Sequence, residues 1–183
     1  MPGLRLVWDA ADSCCVLAGI PIVVAPDPLS PFAVDAEVIE QDTARILDEG
    51  LVLLEPDESL GQLVREMVTE PMLSPGSVLA SGARPVRIQV IIHELDRQPS
   101  WREEWIRQAW QGIVACCEER VLSSLSLPLL GTRMRDMDRR RSVRLLRELI
   151  LGSRPACLRR IWLRCPQGAQ QQVLGLLQGH ASG

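Results

Sequence analysis

The chain has 183 residues, of which 46% are hydrophobic and 23% are charged, and its formal net charge is −3. These values fit one folded domain, spanning residues 1–183, and exclude wholesale disorder. The charge is unevenly divided, because residues 1–82 contain 14 acids and three arginines, whereas residues 83–183 contain nine acids and 17 arginines. The sequence contains no lysine, asparagine or tyrosine. This absence excludes Schiff-base lysines and any mechanism that needs an asparagine amide.

The sequence shows no recognisable signal peptide or membrane span. Residues Met1–Asp9 lack the basic and apolar regions of a signal peptide. The longest uncharged apolar stretch, Cys14–Pro26, is too short to cross a bilayer. We therefore expect a cytoplasmic protein with no membrane partner.

The six cysteines are the next candidates for chemistry. None of them has CxxC spacing, and His93 and His180 are the only histidines. This pattern lacks the usual ligand spacing of a zinc site, so we predict no metal and no cofactor. Cysteines of a cytoplasmic chain are expected to be reduced and mostly buried.

Apolar periodicity predicts strands that alternate with helices. The amino-terminal half contains these predicted elements in chain order: strands at Leu4–Trp8 and Gly19–Ala25, a helix over Ala36–Glu49, a short apolar run at Leu51–Leu54, and a helix with an apolar stripe from Leu60 to Val68. The carboxyl-terminal half contains strands at Ser77–Ala80 and Arg87–Glu94, a helix from a capping box at Ser100 to about Val121, a strand at Ser124–Leu130, a helix over Arg139–Leu151, a strand at Leu158–Arg164, and a helix over Gly168–Gln178. This order predicts an α/β fold with helices on both sides of a mixed sheet.

Several strings in this order of elements resemble the macro domain, the ADP-ribose-binding fold. Val90–His93 is similar to the family's strand that ends in Val-Ile-His, and Leu127–Thr132 is similar to its strand and loop with the sequence Pro-Ala-Leu-Gly-Thr-Gly. Weaker similarities lie at Trp8-Asp9, Ile22–Asp27, Val34-Asp35 and Ser74–Gly82. The resemblance implies a three-layer α/β/α fold with a mixed, largely parallel sheet and a ligand cleft at the carboxyl ends of its strands.

The two loops that hold the ligand in that family differ here. The first is rich in glycine in the family, but this chain has Leu29–Ala33, in which Pro31 has no N–H to donate. The second reads Gly-Thr-Gly-x-x-Gly, and Gly131–Asp136 keeps only its first glycine. Asp27 stands where hydrolytic members have an asparagine, and an ionised carboxylate cannot donate hydrogen bonds. The resemblance therefore implies a diverged, non-catalytic member.

The resemblance also implies which residues contact a ligand. Asp9 is similar to the residue that accepts a hydrogen bond from adenine, although an aspartate there could instead cap a turn. Asp27 and Asp35 would lie on the rim of the first loop. They could be paired acids for acid–base catalysis or solvated loop acids, and Asp27 is the favoured candidate for a catalytic acid or base. His93 is expected to have a structural role. The second loop would face phosphate with Gly131, Thr132, Arg133 and Arg135.

Three functions remain open at this stage. The first is binding of a phosphate-bearing nucleotide, such as an ADP-ribose relative. The second is protein–protein association by a fold without a ligand, through the tryptophan-bearing helix and the opposed charges. The third is ADP-ribosyl hydrolysis. Seven arginines between Arg133 and Arg147 form either an anion site or a solvated helix face. Their local extent argues against a nucleic-acid partner.

Overall fold

The computed structural model describes residues 13–47 and 72–179. These residues form a seven-stranded sheet and three helices. The strands are β1 (Cys14–Leu17), β2 (Ile20–Pro26), β3 (Ala36–Asp42), β4 (Val78–Ser81), β5 (Val86–His93), β6 (Ser124–Leu127) and β7 (Arg160–Cys165). The helices are α1 (Glu103–Glu119), α2 (Arg139–Ser153) and α3 (Gln170–Gln178).

The sheet is mixed and largely parallel. Its strand order is β1-β2-β7-β6-β3-β5-β4. The five inner strands run parallel to one another, and the edge strands β1 and β4 pair in the antiparallel sense with β2 and β5. The carboxyl ends of the five inner strands therefore meet at one edge of the sheet, where α/β folds bind their ligands.

The core lies between the sheet and the three helices. Helix α1 packs against β4 and β5, helix α3 packs against β1 and β2, and α2 lies between α1 and α3. The buried face of α2 carries Val143, Leu146 and Ile150, whereas Arg140 and Arg144 are exposed. This separation is the amphipathic pattern expected of a helix that covers a sheet.

The predicted helix over Ala36–Glu49 is wrong, because residues 36–42 form strand β3 and residues 48 and 49 lie outside the described residues. β3 lies between β5 and β6, and most of it is buried. A strand buried on both faces shows no alternation of apolar and polar residues, so its sequence lacks the usual strand signal. Buried Glu40 and Gln41 obscure the signal further.

Most of the other predicted elements are confirmed with small shifts in their bounds. The edge strand β1 is an additional element, which joins β2 through the Ala18-Gly19 turn. The predicted capping box is wrong, because α1 begins at Glu103 after Arg102, and the Ser100 hydroxyl bonds to His93 instead. The predicted strand at Leu4–Trp8, the run at Leu51–Leu54 and the helix near residues 60–68 lie outside the described residues.

All six cysteines are free thiols, and Cys15, Cys116, Cys117 and Cys165 are buried, as predicted. Within residues 13–47 and 72–179, no helix has the length and apolar character required to cross a membrane.

Candidate functional site

A cleft of about 490 Å³ opens at the carboxyl ends of the inner strands. Its polar lining comes from four different strand ends or the loops that follow them: Asp27, Glu40, Thr132, Arg133 and Arg164. Ile39, Pro128 and Leu129 supply apolar surface. The cleft thus combines apolar walls with a few convergent polar groups, which is typical of small-molecule sites.

Arg164 forms one wall of the cleft, on β7. Its Nη1 donates to Glu37 Oε1 at 3.1 Å and lies 3.4 Å from Asp27 Oδ1, and its Nη2 donates to the carbonyl oxygen of Val38. Its Nε is buried and has no hydrogen-bond partner among the described residues. The side chain of Arg164 is 15% exposed and that of Asp27 is 69% exposed, so the cation lies in the wall and the carboxylate on the rim.

The loop that connects β6 to α2 forms another part of the cleft lining. Gly131 has a φ of +84°, which favours glycine, and the Thr132 hydroxyl donates to the carbonyl oxygen of Leu129 at 2.7 Å. These two features form a tight turn that directs the following residue, Arg133, toward the cleft. Arg133 Nη1 donates to the carbonyl oxygen of Glu40 at 3.0 Å, which links the loop to β3. Arg135 is exposed and does not line the cleft.

A buried network of hydrogen bonds lies behind the cleft. His93 Nε2 is 2.8 Å from Glu40 Oε2, and His93 Nδ1 is 2.9 Å from Ser100 Oγ. The backbone N–H of Ser100 donates to Asp136 Oδ2 at 2.7 Å. The network therefore joins the carboxyl ends of β3 and β5 to the segment before α1 and to the loop after β6.

Asp42 orders the chain directly after β3. Its Oδ1 accepts from the N–H of Ala44 at 2.7 Å, and its Oδ2 accepts from Ile46 and Leu47 at 2.7 and 2.9 Å. The carboxylate is completely buried, so these three bonds replace its hydration. The turn over residues 43–47 is consequently fixed at the same sheet edge as the cleft.

Several solved macro domains have a similar fold. The Oceanobacillus iheyensis macrodomain with MES bound matches at a TM-score of 0.65 and 12% identity, over 91% of this chain and 95% of that chain. The same macrodomain with ADP matches at 0.62 and 13% identity, over 91% and 93%. The Trypanosoma brucei macrodomain in complex with ADP matches at 0.60 and 20% identity, over 86% and 69%.

This chain has the macro domain fold. The resemblance stated from sequence and the predicted α/β/α class with a mixed, largely parallel sheet are both confirmed. Neither a protein-family model nor a curated protein matches the sequence. The similarity to macro domains therefore rests on the fold and on short strings of residues.

In this macro domain fold, Asp35 lies far along β3 from the cleft, at the amino-terminal end of the strand. Its Oδ2 accepts from the N–H and hydroxyl of Ser123, each at 2.8 Å, and from the N–H of Ser124 at 3.1 Å. Arg84 Nη1 is 3.2 Å from Oδ1. The Ser123 N–H bond is the main cause that lowers the pKa of Asp35. Asp35 therefore joins β3 to β6 and is not brought together with Asp27.

The predicted first ligand loop, Leu29–Ala33, also runs away from the cleft. It connects the carboxyl end of β2 to the amino end of β3, so it must cross from one sheet edge to the other. The Phe32 ring lies 4.2 Å from the guanidinium carbon of Arg160, the first residue of β7, and Arg160 Nη2 donates to the Ala33 carbonyl. These contacts place the end of the loop at the amino ends of the strands.

A second, smaller groove of about 360 Å³ lies between α1 and α2. Both charge signs line it: α2 supplies Arg140, Arg141, Arg144 and Glu148, and α1 supplies Glu103. Arg107 Nη2 bonds to Glu103 and Glu148, and the hydrogen bond from Arg107 is the main cause that lowers the pKa of Glu103. Arg141 Nη2 lies 3.4 Å from Glu103 Oε2, so this member of the predicted arginine cluster belongs to the same exposed network of ion pairs.

The tryptophans in α1 and in the segment directly before it are mainly core residues. Trp101 and Trp110 are buried, and Trp110 Nε1 donates to Ser153 Oγ at 2.9 Å. Trp105 is half-buried, with the Arg102 guanidinium 5.4 Å from its ring centre. This packing confirms the interpretation of these side chains as buried or semi-buried and leaves only part of one indole for a partner.

Of the predicted ligand residues, the structure brings Asp27, Thr132 and Arg133 to the cleft, with Gly131 directly before them in the same turn. It does not bring Asp35 or Arg135 there, and Asp9 lies outside the described residues. No group of three His, Cys, Asp or Glu side chains in the described ranges is arranged to hold a metal ion.

Sequence reasoning missed Glu40 and Arg164. Arg164 had a usable signal, because it is a charged residue at the carboxyl end of a strand that was predicted correctly in its main part. Glu40 had none, because its segment was interpreted as a helix.

Cys165 also lines the cleft, and burial raises the pKa of its thiol to about 11, so it stays uncharged near neutral pH.

Proposed function

We propose that this chain binds a phosphate-bearing nucleotide, ADP-ribose or a close relative of it, in the cleft at the carboxyl ends of the strands. The observation that carries the proposal is that two arginines, Arg133 and Arg164, line the same cleft. Arginine forks bind phosphate oxygens through charge-assisted hydrogen bonds. Macro domains of similar structure have been solved with ADP in complex, which supports the same class of ligand here.

Each cleft residue has a proposed role. Arg133 contacts a phosphate group, and the turn of Gly131 and Thr132 holds Arg133 in place. Arg164, whose buried Nε has no partner among the described residues, supplies a second cationic wall. Asp27 on the exposed rim accepts a hydrogen bond from a hydroxyl or amino group of the ligand. Phosphate recognition would then depend on side chains more than on a glycine-rich backbone.

We further propose that the site is non-catalytic. Asp27, the candidate acid or base, lies exposed on the rim, with its Oδ1 3.4 Å from Arg164 Nη1. Glu40, the other carboxylate of the cleft, is already bonded to His93. Incubation with an ADP-ribosylated protein tests this part of the proposal. Release of ADP-ribose that is lost in Asp27→Ala would contradict it and favour hydrolysis.

Isothermal titration calorimetry with ADP-ribose, ADP and adenosine tests the binding proposal. We expect ADP-ribose and ADP to bind and adenosine, which has no phosphate, to bind more weakly. Removal of one charge-assisted contact in Arg133→Ala should weaken ADP-ribose binding by about 10- to 100-fold. Arg135→Ala is the matched control, because Arg135 lies on the same loop but outside the cleft lining.

Two results would contradict the proposal. The first is the absence of heat and of a thermal shift with millimolar ADP-ribose, which would favour protein association as the function of this fold. The second is equal weakening in Arg133→Ala and Arg135→Ala, which would mean that the loop does not present Arg133 to a phosphate.

A further inference from the structure

The loop that carries Arg133 is connected to Glu40 twice. One connection is direct, because Arg133 Nη1 donates to the Glu40 carbonyl oxygen at 3.0 Å. The other runs from the Glu40 carboxylate through His93 and Ser100 to Asp136, which lies three residues after Arg133 on the same loop. The two connections close a ring that includes the cation and one carboxylate of the cleft.

Three members of the ring are buried in the protein interior. Glu40 is 3% exposed, His93 is 0% exposed and Ser100 is 5% exposed. Buried polar groups retain a defined geometry only when each of them is bonded, so such a network specifies one arrangement of its members. Asp136 is exposed and is the one member that can be changed without opening the core.

The polar groups of the ring are all paired. His93 Nε2 faces Glu40 Oε2, and His93 Nδ1 faces the Ser100 hydroxyl, which can donate or accept. The Ser100 N–H donates to Asp136. Each of these buried groups therefore has a partner within the ring.

We propose that His93, Ser100 and Asp136 are positioning residues, which hold Glu40 and Arg133 in the relative geometry that the nucleotide requires. This inference rests on the proposed function. Glu40 is one of the residues that line the cleft, and its carboxylate bonds to His93. A ligand hydroxyl that donates a hydrogen bond to the Glu40 carboxylate would therefore weaken the hydrogen bond between Glu40 and His93. Ligand binding is then detected at a histidine that the ligand does not touch.

The test compares three variants of the loop. Asp136→Ala removes the acceptor of the Ser100 N–H, whereas Asp136→Asn keeps an acceptor oxygen at that place. Asp138→Ala is the matched control, because Asp138 is exposed, lies two residues further along and makes no side-chain cap bond to α2. We expect Asp136→Ala to weaken ADP-ribose binding about tenfold, and the other two variants to stay within about twofold of the parent chain.

Nitrogen-15 labelling of histidine provides a readout that a purely structural role would not change. The chain has two histidines, His93 and His180, and His180→Gln assigns their signals. We expect the His93 Nε2 resonance to shift during an ADP-ribose titration, with the same midpoint as the calorimetric binding. We also expect Asp136→Ala, but not Asp136→Asn, to shift the free-chain His93 Nδ1 resonance and the amide signals of residues 131–135.

The outcomes separate the two proposals. If the parent chain binds no nucleotide, the proposed function fails, and the free-chain amide and histidine shifts still decide whether the ring positions the loop. Unchanged loop amides in Asp136→Ala would overturn the ring as a positioning device. ADP-ribose binding that leaves the His93 resonance unmoved would overturn the coupling between His93 and the ligand.

Discussion

Replacement of Asp35 by alanine distinguishes a structural carboxylate from a ligand contact. Asp35 Oδ2 accepts three hydrogen bonds from Ser123 and Ser124, and its Oδ1 lies 3.2 Å from Arg84 Nη1. The backbone bonds of Asp35 to Ser124 and Val86 do not depend on its side chain. Asp35→Ala therefore removes the side-chain junction between β3 and β6 and leaves the strand pairing in place.

The expected loss of unfolding free energy is about 2–3 kcal/mol. A hydrogen bond to a charged group contributes roughly 1.5–3 kcal/mol, and two backbone N–H groups donate to this carboxylate. The sum is reduced because the bonds are not additive and the Asp35 side chain is 19% exposed. For a chain of this size, the loss corresponds to a decrease in Tm of roughly 5–10 °C.

The effect should depend on pH with a defined sign. The Ser123 N–H bond lowers the pKa of Asp35 in the folded chain, so the ionised carboxylate stabilises the fold above its unfolded pKa of about 3.9. This stabilisation is lost as the pH falls through the lower folded pKa. The difference in stability between the parent chain and Asp35→Ala should therefore be constant near neutral pH and decrease below about pH 4.

Urea denaturation followed by tryptophan fluorescence measures this difference, and calorimetry measures binding to ADP-ribose. We expect Asp35→Ala to bind ADP-ribose with the affinity of the parent chain at a temperature where both are folded. A loss of less than about 0.5 kcal/mol, within the range of ordinary surface substitutions, would refute the structural role. A loss of unfolding free energy that does not change with pH would refute it as well. A loss of ADP-ribose affinity without a loss of stability would mean that Asp35 contacts the ligand.

Three further predictions concern the same sheet edge and the core. Asp42→Ala should lower the unfolding free energy by about 3 kcal/mol, because three backbone N–H groups lose a buried acceptor, and urea denaturation of Asp42→Asn should show a smaller loss. Gly131→Ala should lower the unfolding free energy by at least about 2 kcal/mol, because its φ is +84° and a Cβ there would clash with the Met137 sulfur. Gly152→Ala, whose Cβ meets nothing within 4 Å, should be neutral or stabilising in the same assay. In iodoacetamide labelling followed by mass spectrometry, half-buried Cys14 should react well before Cys117, whose pKa is raised to about 12 by burial, and equal rates would contradict the packing of α1.

The predictable part of the fold is the part whose elements have one buried and one solvated face. Helix α2 is an example, because its Val143, Leu146 and Ile150 stripe gives its position and its buried face directly. Strand β3 is the opposite case. It is buried on both faces, and its Glu40 is stabilised by His93, which lies 53 positions further along the chain. No local sequence pattern contains that partner.

The candidate site divides in the same way. Arg133 was predicted because the loop that follows β6 keeps one glycine and resembles a known loop. Glu40 and Asp35 were misjudged because both depend on β3, whose register determines which end of the strand each residue occupies. Asp35 was placed beside Asp27 because Val34-Asp35 resembles a family string at the first ligand loop, although β3 directs Asp35 to the other edge of the sheet.

The most direct test of the account is a titration of ADP-ribose into the uniformly nitrogen-15-labelled chain, with the amide shifts mapped onto the fold. We predict that the largest shifts occur at the carboxyl edge of the sheet, at Asp27, Glu40, Arg133 and Arg164, and that residues around Asp35 stay unchanged. Shifts concentrated in the groove between α1 and α2, or no shifts at millimolar ADP-ribose, would contradict the assignment of the ligand cleft.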